Sequence, residues 1–80
     1  ALPNIGPVLA ENLRRAGIET PEQLRALGSR EALVRIRAQV DPGACLHQLQ
    51  ALEGAVQGVK KSALSPACKA ELKRFHNSLT

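Results

Sequence analysis

The chain has 80 residues, of which 44% are hydrophobic and 22% are charged. This length corresponds to one small domain. It contains neither an apolar run long enough to cross a membrane nor a signal-peptide pattern, so we expect a cytoplasmic protein without a membrane partner. Eleven Lys and Arg residues against seven Asp and Glu residues give a formal net charge of +4, which favours nucleic acid or acidic protein surfaces as partners.

The excess of positive charge is divided evenly along the chain. Residues 1–40 contain six basic and four acidic residues, and residues 41–80 contain five and three. No block of like charge therefore stands out as a binding tail.

The first helix is predicted to begin at Pro7, because proline suits a first helical position where its missing N–H would have no partner. Gly17 closes the apolar periodic run as a left-handed cap, and Ile18 beyond it is expected to pack on Leu13. A second helix starts at Thr20, with Gln23 placed for a capping box.

Gly28 ends the second helix, and Ser29 is predicted to cap a third helix over residues 30–40. The fourth helix is expected to run from Pro42 to Gln57. Its apolar stripe has helical spacing and comprises Cys45, Leu49, Leu52, Val56 and Val59. A fifth helix starts after Ser65 and turns Leu72, Phe75 and Leu79 inward.

The fourth helix also has a side of small residues, and these are Ala51, Gly54, Ala55 and Gly58. Because a glycine in a helix costs about 1 kcal/mol relative to alanine, Gly54 is expected to let another backbone approach closely. The first or last helix of the same chain, or a second copy, is expected to cover this side. The fold class predicted is all-α, one small domain over residues 1–80 with about five short helices.

Three segments in this order resemble one protein family: LPNIGP, then AGIET-P-x-x-L, then CLHQLQALEGAVQG before a basic last helix. They are similar to the C-terminal domain of the TfoX/Sxy regulators of bacterial competence. The resemblance implies a small helical domain related to helix-hairpin-helix folds, found alone or behind an α+β N-terminal domain that this sequence lacks. It also implies a role in switching on DNA-uptake genes, in some bacteria together with the cyclic-AMP receptor protein.

The segment LPNIGPVLA allows two interpretations. In DNA-binding helix-hairpin-helix units, glycines let backbone N–H groups approach a phosphate at a positive helix end. Here Asn4 replaces the first glycine, which is tolerable because asparagine adopts left-handed conformations. Val8 replaces the expected basic residue, which is a greater loss.

The functional interpretation is a phosphate cradle formed by backbone N–H groups around Asn4, Ile5, Gly6 and Val8. Its positive charge would have to come from Arg14 and Arg15, a turn or more away along the helix. The structural interpretation, which we favour, is a turn that starts a helix and packs Leu2 and Ile5 into the core.

Metal and catalytic chemistry find little support in the sequence. Cys45, His47, Cys68 and His76 are suitable zinc ligands by type, but their spacings are not those of a zinc module. We expect free thiols, with Cys45 in the core and His47 at the surface. No nucleophile, base and orienting carboxylate occur in a recognisable pattern, and we expect neither an enzyme nor a cofactor. One phenylalanine as the sole aromatic residue argues against single-strand binding.

The function expected is therefore a non-enzymatic accessory module in transcriptional regulation of competence genes. It would act mainly by protein contacts, with weak, non-specific affinity for the DNA backbone. One alternative is direct binding of duplex DNA by the hairpin with Arg14 and Arg15. The other is a structural homodimer formed through the small-residue side of the fourth helix.

Overall fold

The structure of the protein is a computed structural model that describes residues 4–79. These residues form five α-helices and one 3₁₀ turn, without a β-strand, so the predicted all-α class is confirmed. The helices are α1 (Pro7–Arg15), α2 (Pro21–Leu27), α3 (Ser29–Gln39), α4 (Leu46–Gln57) and α5 (Pro66–Ser78), and the 3₁₀ turn is Lys61–Ala63.

The α1 helix ends at a glycine in the left-handed conformation, as the sequence predicts. Gly17 has φ +85°, and its N–H donates to the carbonyl of Arg14 at 3.0 Å. The N–H of Ile18 donates to the carbonyl of Leu13 at 2.9 Å, and both of these side chains are buried. The two crossed hydrogen bonds and the apolar contact are those of a Schellman motif.

The predicted capping box is present at the start of α2. The backbone N–H of Gln23 donates to Thr20 Oγ1 at 3.1 Å, and the backbone N–H of Thr20 donates to Gln23 Oε1 at 3.1 Å. Two N–H groups that a helix end leaves without a partner are thereby satisfied. The predicted start of α5 after Ser65 is also confirmed, and Ser65 Oγ caps this helix by accepting from the N–H of Cys68 at 3.1 Å.

Ser29 was predicted as a cap, and this is wrong. Gly28 precedes α3 with φ +88°, which lets α2 turn into α3 without a linker, because glycine has no Cβ to clash. Ser29 is the first helical residue, only 2% exposed. Its hydroxyl donates to Glu53 Oε1 at 2.5 Å and so ties α3 to α4.

The predicted start of α4 at Pro42 is also wrong, and so is the predicted burial of Cys45. Asp41 Oδ1 accepts from the N–H of Gly43 at 2.9 Å, and Arg37 donates to the carbonyl of Ala44 at 3.0 Å. These bonds stabilise a turn, so α4 begins only after Cys45. The turn buries Ala44 and leaves Cys45 exposed.

The core lies around α4, which packs against α2, α3, α5 and the 3₁₀ turn, while α1 packs on α3. The largest fully buried side chains come from four of the five helices and are Leu24, Leu33, Ile36, Leu49, Leu52 and Leu72. No helix among the described residues is both long and apolar enough to span a bilayer.

The capping box supplies the first prediction. Thr20→Ala should lower the free energy of unfolding by about 1 kcal/mol, because the side-chain acceptor of the helix end is lost. In a domain of this size this corresponds to a fall of roughly 4–8 °C in the melting temperature. Thr20→Ser retains the hydroxyl and should stay close to the wild type in a urea titration. Equal losses in both variants would contradict the capping role.

Candidate functional site

Asn4 connects the start of the chain to a segment more than fifty residues away. Its backbone has φ +68°, the left-handed conformation that the sequence predicts for this residue. Its side-chain Nδ2 donates to the carbonyl of Val59 at 2.9 Å, and its Oδ1 accepts from the backbone N–H of Lys61 at 2.9 Å. We call this pair of hydrogen bonds the Asn4 bridge.

The Asn4 bridge passes over Gly54, where a larger residue would not fit. A Cβ atom at Gly54 would lie 2.7 Å from the carbonyl oxygen of Val59 and closer still to Asn4 Nδ2. Real Cβ atoms essentially never make such contacts. The predicted close approach at Gly54 is therefore confirmed, and the approaching groups are the Asn4 amide and the backbone that follows α4.

The small-residue side of α4 is covered mainly from within the same chain. Ala51, Gly54 and Ala55 are buried. Gly58 is exposed, and with φ +75° it ends α4 in the left-handed conformation. Close packing is the role the structure gives to the three buried residues, so they present no open surface to a second copy.

The N-terminal turn (residues 4–7) leads directly into α1 and leaves the start of this helix open. Ile5 is half-buried and packs against the core, whereas Gly6, Pro7 and Val8 are exposed. The α1 helix has no side-chain cap and no acidic residue in its first turn. Its first N–H groups therefore face solvent at the positive end of the helix dipole. Leu2, which was expected to pack beside Ile5, lies outside the described residues.

Val8 is 76% exposed, and no other large hydrophobic residue within residues 4–79 is comparably exposed to solvent. It borders a shallow groove between the start of α1 and α4, lined by Gly6, Pro7, Val8, Leu9, Asn12 and Gln48. The Oε1 atom of Gln48 is buried without a hydrogen-bond donor among the described residues. The groove is thus largely apolar, and beneath it lies an acceptor that no donor of the described residues satisfies.

Arg14 and Arg15 lie in the last turn of α1, at the opposite end from Val8. Arg15 is the seventh residue after Val8 on the helix, which corresponds to about 10 Å along the axis. Arg14 also donates from Nε to Glu11 Oε1 at 2.9 Å. This hydrogen bond raises the pKa of Arg14 and lowers that of Glu11. The structure therefore does not bring these arginines to the open N–H groups of α1.

The cations near the N-terminal turn come instead from the other half of the sequence. Lys60 and Lys61 are exposed, and the Asn4 bridge places the backbone of Lys61 within hydrogen-bonding distance of Asn4. Local sequence patterns gave no indication of this neighbourhood, because the contact spans 57 residues. The feature that could have suggested a distant partner was Asn4 itself. The sequence predicts a left-handed conformation for this residue but indicates no hydrogen-bond partner for its side-chain amide.

The four candidate zinc ligands are not brought together. No group of three or more His, Cys, Asp or Glu residues suited to a metal ion occurs within residues 4–79. Cys45 is exposed, and Cys68 is half-buried, with Gln57 Nε2 3.7 Å from its sulfur. These thiols are free and lie on different elements.

Comparison with known proteins identifies the fold family. The family model of the TfoX C-terminal domain matches residues 1–76, so the predicted resemblance is confirmed. A crystal structure of an uncharacterized protein from Listeria monocytogenes, in a triclinic form, is 52% identical with a TM-score of 0.94. The match covers 98% of this chain and 88% of that chain.

A second crystal structure, of a protein of unknown function from Listeria monocytogenes in a tetragonal form, is 51% identical, also with a TM-score of 0.94. This match covers 98% of this chain and 94% of that chain. No curated protein matches the sequence. These similarities fix the fold.

The Asn4 bridge supplies the second prediction. Asn4→Gly keeps the left-handed backbone but removes both hydrogen bonds, so the free energy of unfolding should fall by about 1–3 kcal/mol. Asn4→Ala should cost roughly 1 kcal/mol more, because alanine is strained at positive φ. Both values can be measured by urea unfolding.

Gly54→Ala should also destabilise the fold, although alanine is the better helix former. Since its methyl group would collide with the Asn4 amide, the loss should be smaller in the Asn4→Gly background. We expect a coupling of at least about 0.5 kcal/mol in this double-mutant cycle. Strictly additive losses would show that the two residues do not act together.

Proposed function

Because the chain belongs to the TfoX C-terminal domain family, we propose that it is a non-enzymatic accessory module in transcriptional regulation of competence genes. It acts mainly through protein contacts, and weak, non-specific binding of the DNA backbone is a second capacity. The proposal assigns no catalytic residue, metal or cofactor, and it places the module in the cytoplasm.

The exposure of Val8 carries the protein-contact part of this proposal. A DNA-binding hairpin has a basic side chain at this position, which contacts phosphate. Here an apolar side chain is 76% exposed, beside exposed Gly6 and Pro7 and the groove that Gln48 lines. A partner that covered Val8 would remove apolar surface from water.

The α1 helix end supports the second capacity. Its first turn has neither an acidic residue nor a side-chain cap, so it attracts anions at the positive end of the helix dipole. Contacts from backbone N–H groups and lysines to phosphates carry no sequence information. Binding at this end is therefore non-specific, and it is weak because Val8 contributes no charge.

Direct duplex binding by the N-terminal turn is the second candidate function. The observation that favours it is the hydrogen bond from the backbone N–H of Lys61 to Asn4, which brings the chain at Lys60 and Lys61 next to the turn. Their exposed side chains then supply the charge that Val8 does not. In this alternative the arginines at the far end of α1 have no part. The two candidates differ in what Val8 contacts, so substitutions of this residue separate them.

The third prediction concerns the protein partner. In pull-downs from cell extract, the wild-type chain should retain the competence activator or RNA polymerase, identified by immunoblot. Val8→Ser should weaken this retention by roughly tenfold, because one buried valine contributes about 1.5 kcal/mol or more. Ala38→Ser, an exposed position on α3, is the matched control. The protein-contact proposal fails if the wild type retains neither partner.

The fourth prediction concerns the α1 helix end and duplex DNA. Val8→Lys restores a cation at this position, so it should tighten binding of a labelled duplex and steepen the salt dependence by about one unit of log K against log salt. Gln39→Lys adds the same charge at an exposed position on α3 and should change the slope much less. If both variants behave alike, the N-terminal turn does not face phosphate.

A further inference from the structure

The ion pairs leave the positive charge of the protein very unevenly distributed. Four of the eleven basic residues pair with a carboxylate, in the pairs Arg14–Glu11, Arg25–Glu22, Arg30–Glu71 and Arg35–Glu31. Arg37 donates to a backbone carbonyl. The remaining basic side chains have no acidic partner within residues 4–79, and these are Arg15, Lys60, Lys61, Lys69, Lys73 and Arg74.

Five of these six residues lie between positions 60 and 74, a range that contains one acidic residue, Glu71. Five basic residues against one acidic residue give +4, which equals the formal net charge of the whole chain. The rest of the sequence contains six of each sign. The concentration is not visible when the chain is divided into residues 1–40 and 41–80, because Asp41 and Glu53 fall in the second half and offset part of its positive charge. We call residues 60–74 the basic segment.

The basic segment presents its cations on the outside of the fold. Lys69 and Lys73 are one turn apart on α5 and therefore share a face, with about 6 Å of axial rise between them. Lys73 and Arg74 are exposed, and Lys69 is half-buried. Leu72, three residues after Lys69, is buried in the core, so the half-buried Lys69 lies at the border of the buried face. The buried face of α5 is thus apolar, and the exposed side carries Lys73 and Arg74 together with Glu71.

Lys60 and Lys61 extend this charge to the loop before α5. Both are exposed, and Lys61 begins the 3₁₀ turn that leads into α5 within five residues. The first turn of α5 contains no acidic residue. The loop therefore carries charge of the same sign as the lysines of α5, and no acidic side chain in the first turn of the helix offsets it.

We propose that the basic segment docks on the phosphate backbone of duplex nucleic acid, without sequence specificity. Four of its five cations are lysines, which act as mobile point charges towards phosphate. Protein interfaces are depleted in lysine and enriched in aromatic residues and arginine, so the composition favours a phosphate backbone over an acidic protein. The inference rests on the duplex affinity proposed above, but it locates that affinity mainly on α5 and its preceding loop.

The occupant is a duplex because the segment lacks a platform for unpaired bases. Its aromatic residue, Phe75, is half-buried, and the guanidinium of Arg30 lies over its ring, 5.9 Å from the centroid. Proteins that bind single strands stack bases on exposed aromatic rings, and this ring is already covered. Lysines on α5 and in the loop before it can instead contact successive phosphates of a double helix.

The experiment compares two double substitutions that remove the same formal charge. Lys69→Gln with Lys73→Gln neutralises two cations of the basic segment. Arg25→Gln with Arg35→Gln, the matched control, neutralises two arginines that are paired with carboxylates on α2 and α3. Each full-length variant is titrated into a labelled mixed-sequence duplex between about 50 and 200 mM salt, the range over which phosphate contacts are lost.

The lysine variant should lose about two units of the log K against log salt slope and at least roughly tenfold in affinity at the lowest salt. The arginine control should keep its slope and stay within about twofold. Lys60→Gln with Lys61→Gln should reduce the slope as well, and this second variant keeps the test decisive if the half-buried Lys69 proves necessary for folding.

Several results would overturn the proposal. Equal losses of duplex affinity in the lysine and arginine variants would mean that only the net charge of the protein matters. Absence of duplex binding by the wild type at low salt would show that a duplex is not the ligand. Binding of poly-glutamate without binding of duplex would identify an acidic protein as the occupant. Lysine-sensitive duplex binding would support the basic segment even if the Val8 pull-down failed, so the two proposals can fail separately.

Discussion

The arrangement of the N-terminal turn depends on the two hydrogen bonds of the Asn4 side chain. A helix satisfies its own backbone groups, but the turn before α1 and the segment after α4 are not helical and need other partners. The Asn4 amide supplies both a donor and an acceptor, and it pairs with the carbonyl of Val59 and the N–H of Lys61. This pairing requires a left-handed backbone at residue 4 and the absence of a side chain at Gly54. Asparagine and glycine are the residues that meet these two conditions most easily.

The Asn4 bridge also shows what two of the segments that resemble the family do in the structure. LPNIG contains Asn4 and ALEGA, within the fourth-helix segment, contains Gly54, so two of the segments that carry the resemblance meet in one contact. The glutamate of ALEGA, Glu53, accepts hydrogen bonds from Ser29 and Gln57 and connects α3 to α4. In this chain the segments that carry the resemblance therefore make packing contacts, and function has to be argued from the surfaces that this packing leaves exposed.

Sequence alone predicted the features that short-range chemistry determines and missed those that depend on distant contacts. The capping box at Thr20 and the left-handed Gly17 follow from residues within one turn, and the structure confirms both. Ser29 has the composition of a cap, yet the carboxylate of Glu53 draws its hydroxyl into the core. Cys45 fits the apolar period of α4, but the turn at Asp41 delays the helix and exposes the thiol. Likewise, the proximity of Lys61 to the N-terminal turn has no local signature.

The same contact couples two surfaces of different chemistry. The apolar groove at Val8 lies just after the N-terminal turn, and the basic segment begins at Lys60, on the other side of the Asn4 bridge. Because Asn4 bonds to the backbone of Val59 and Lys61, the loop cannot move far from the turn without breaking both hydrogen bonds, of which the one to the Val59 carbonyl is partly buried. A protein bound at Val8 and a duplex bound along α5 would therefore be held at a fixed separation by a domain of only 80 residues. Positioning one partner relative to the other needs no conformational change and no catalytic group. The proposed accessory role would therefore consist of holding the two partners together in a fixed arrangement.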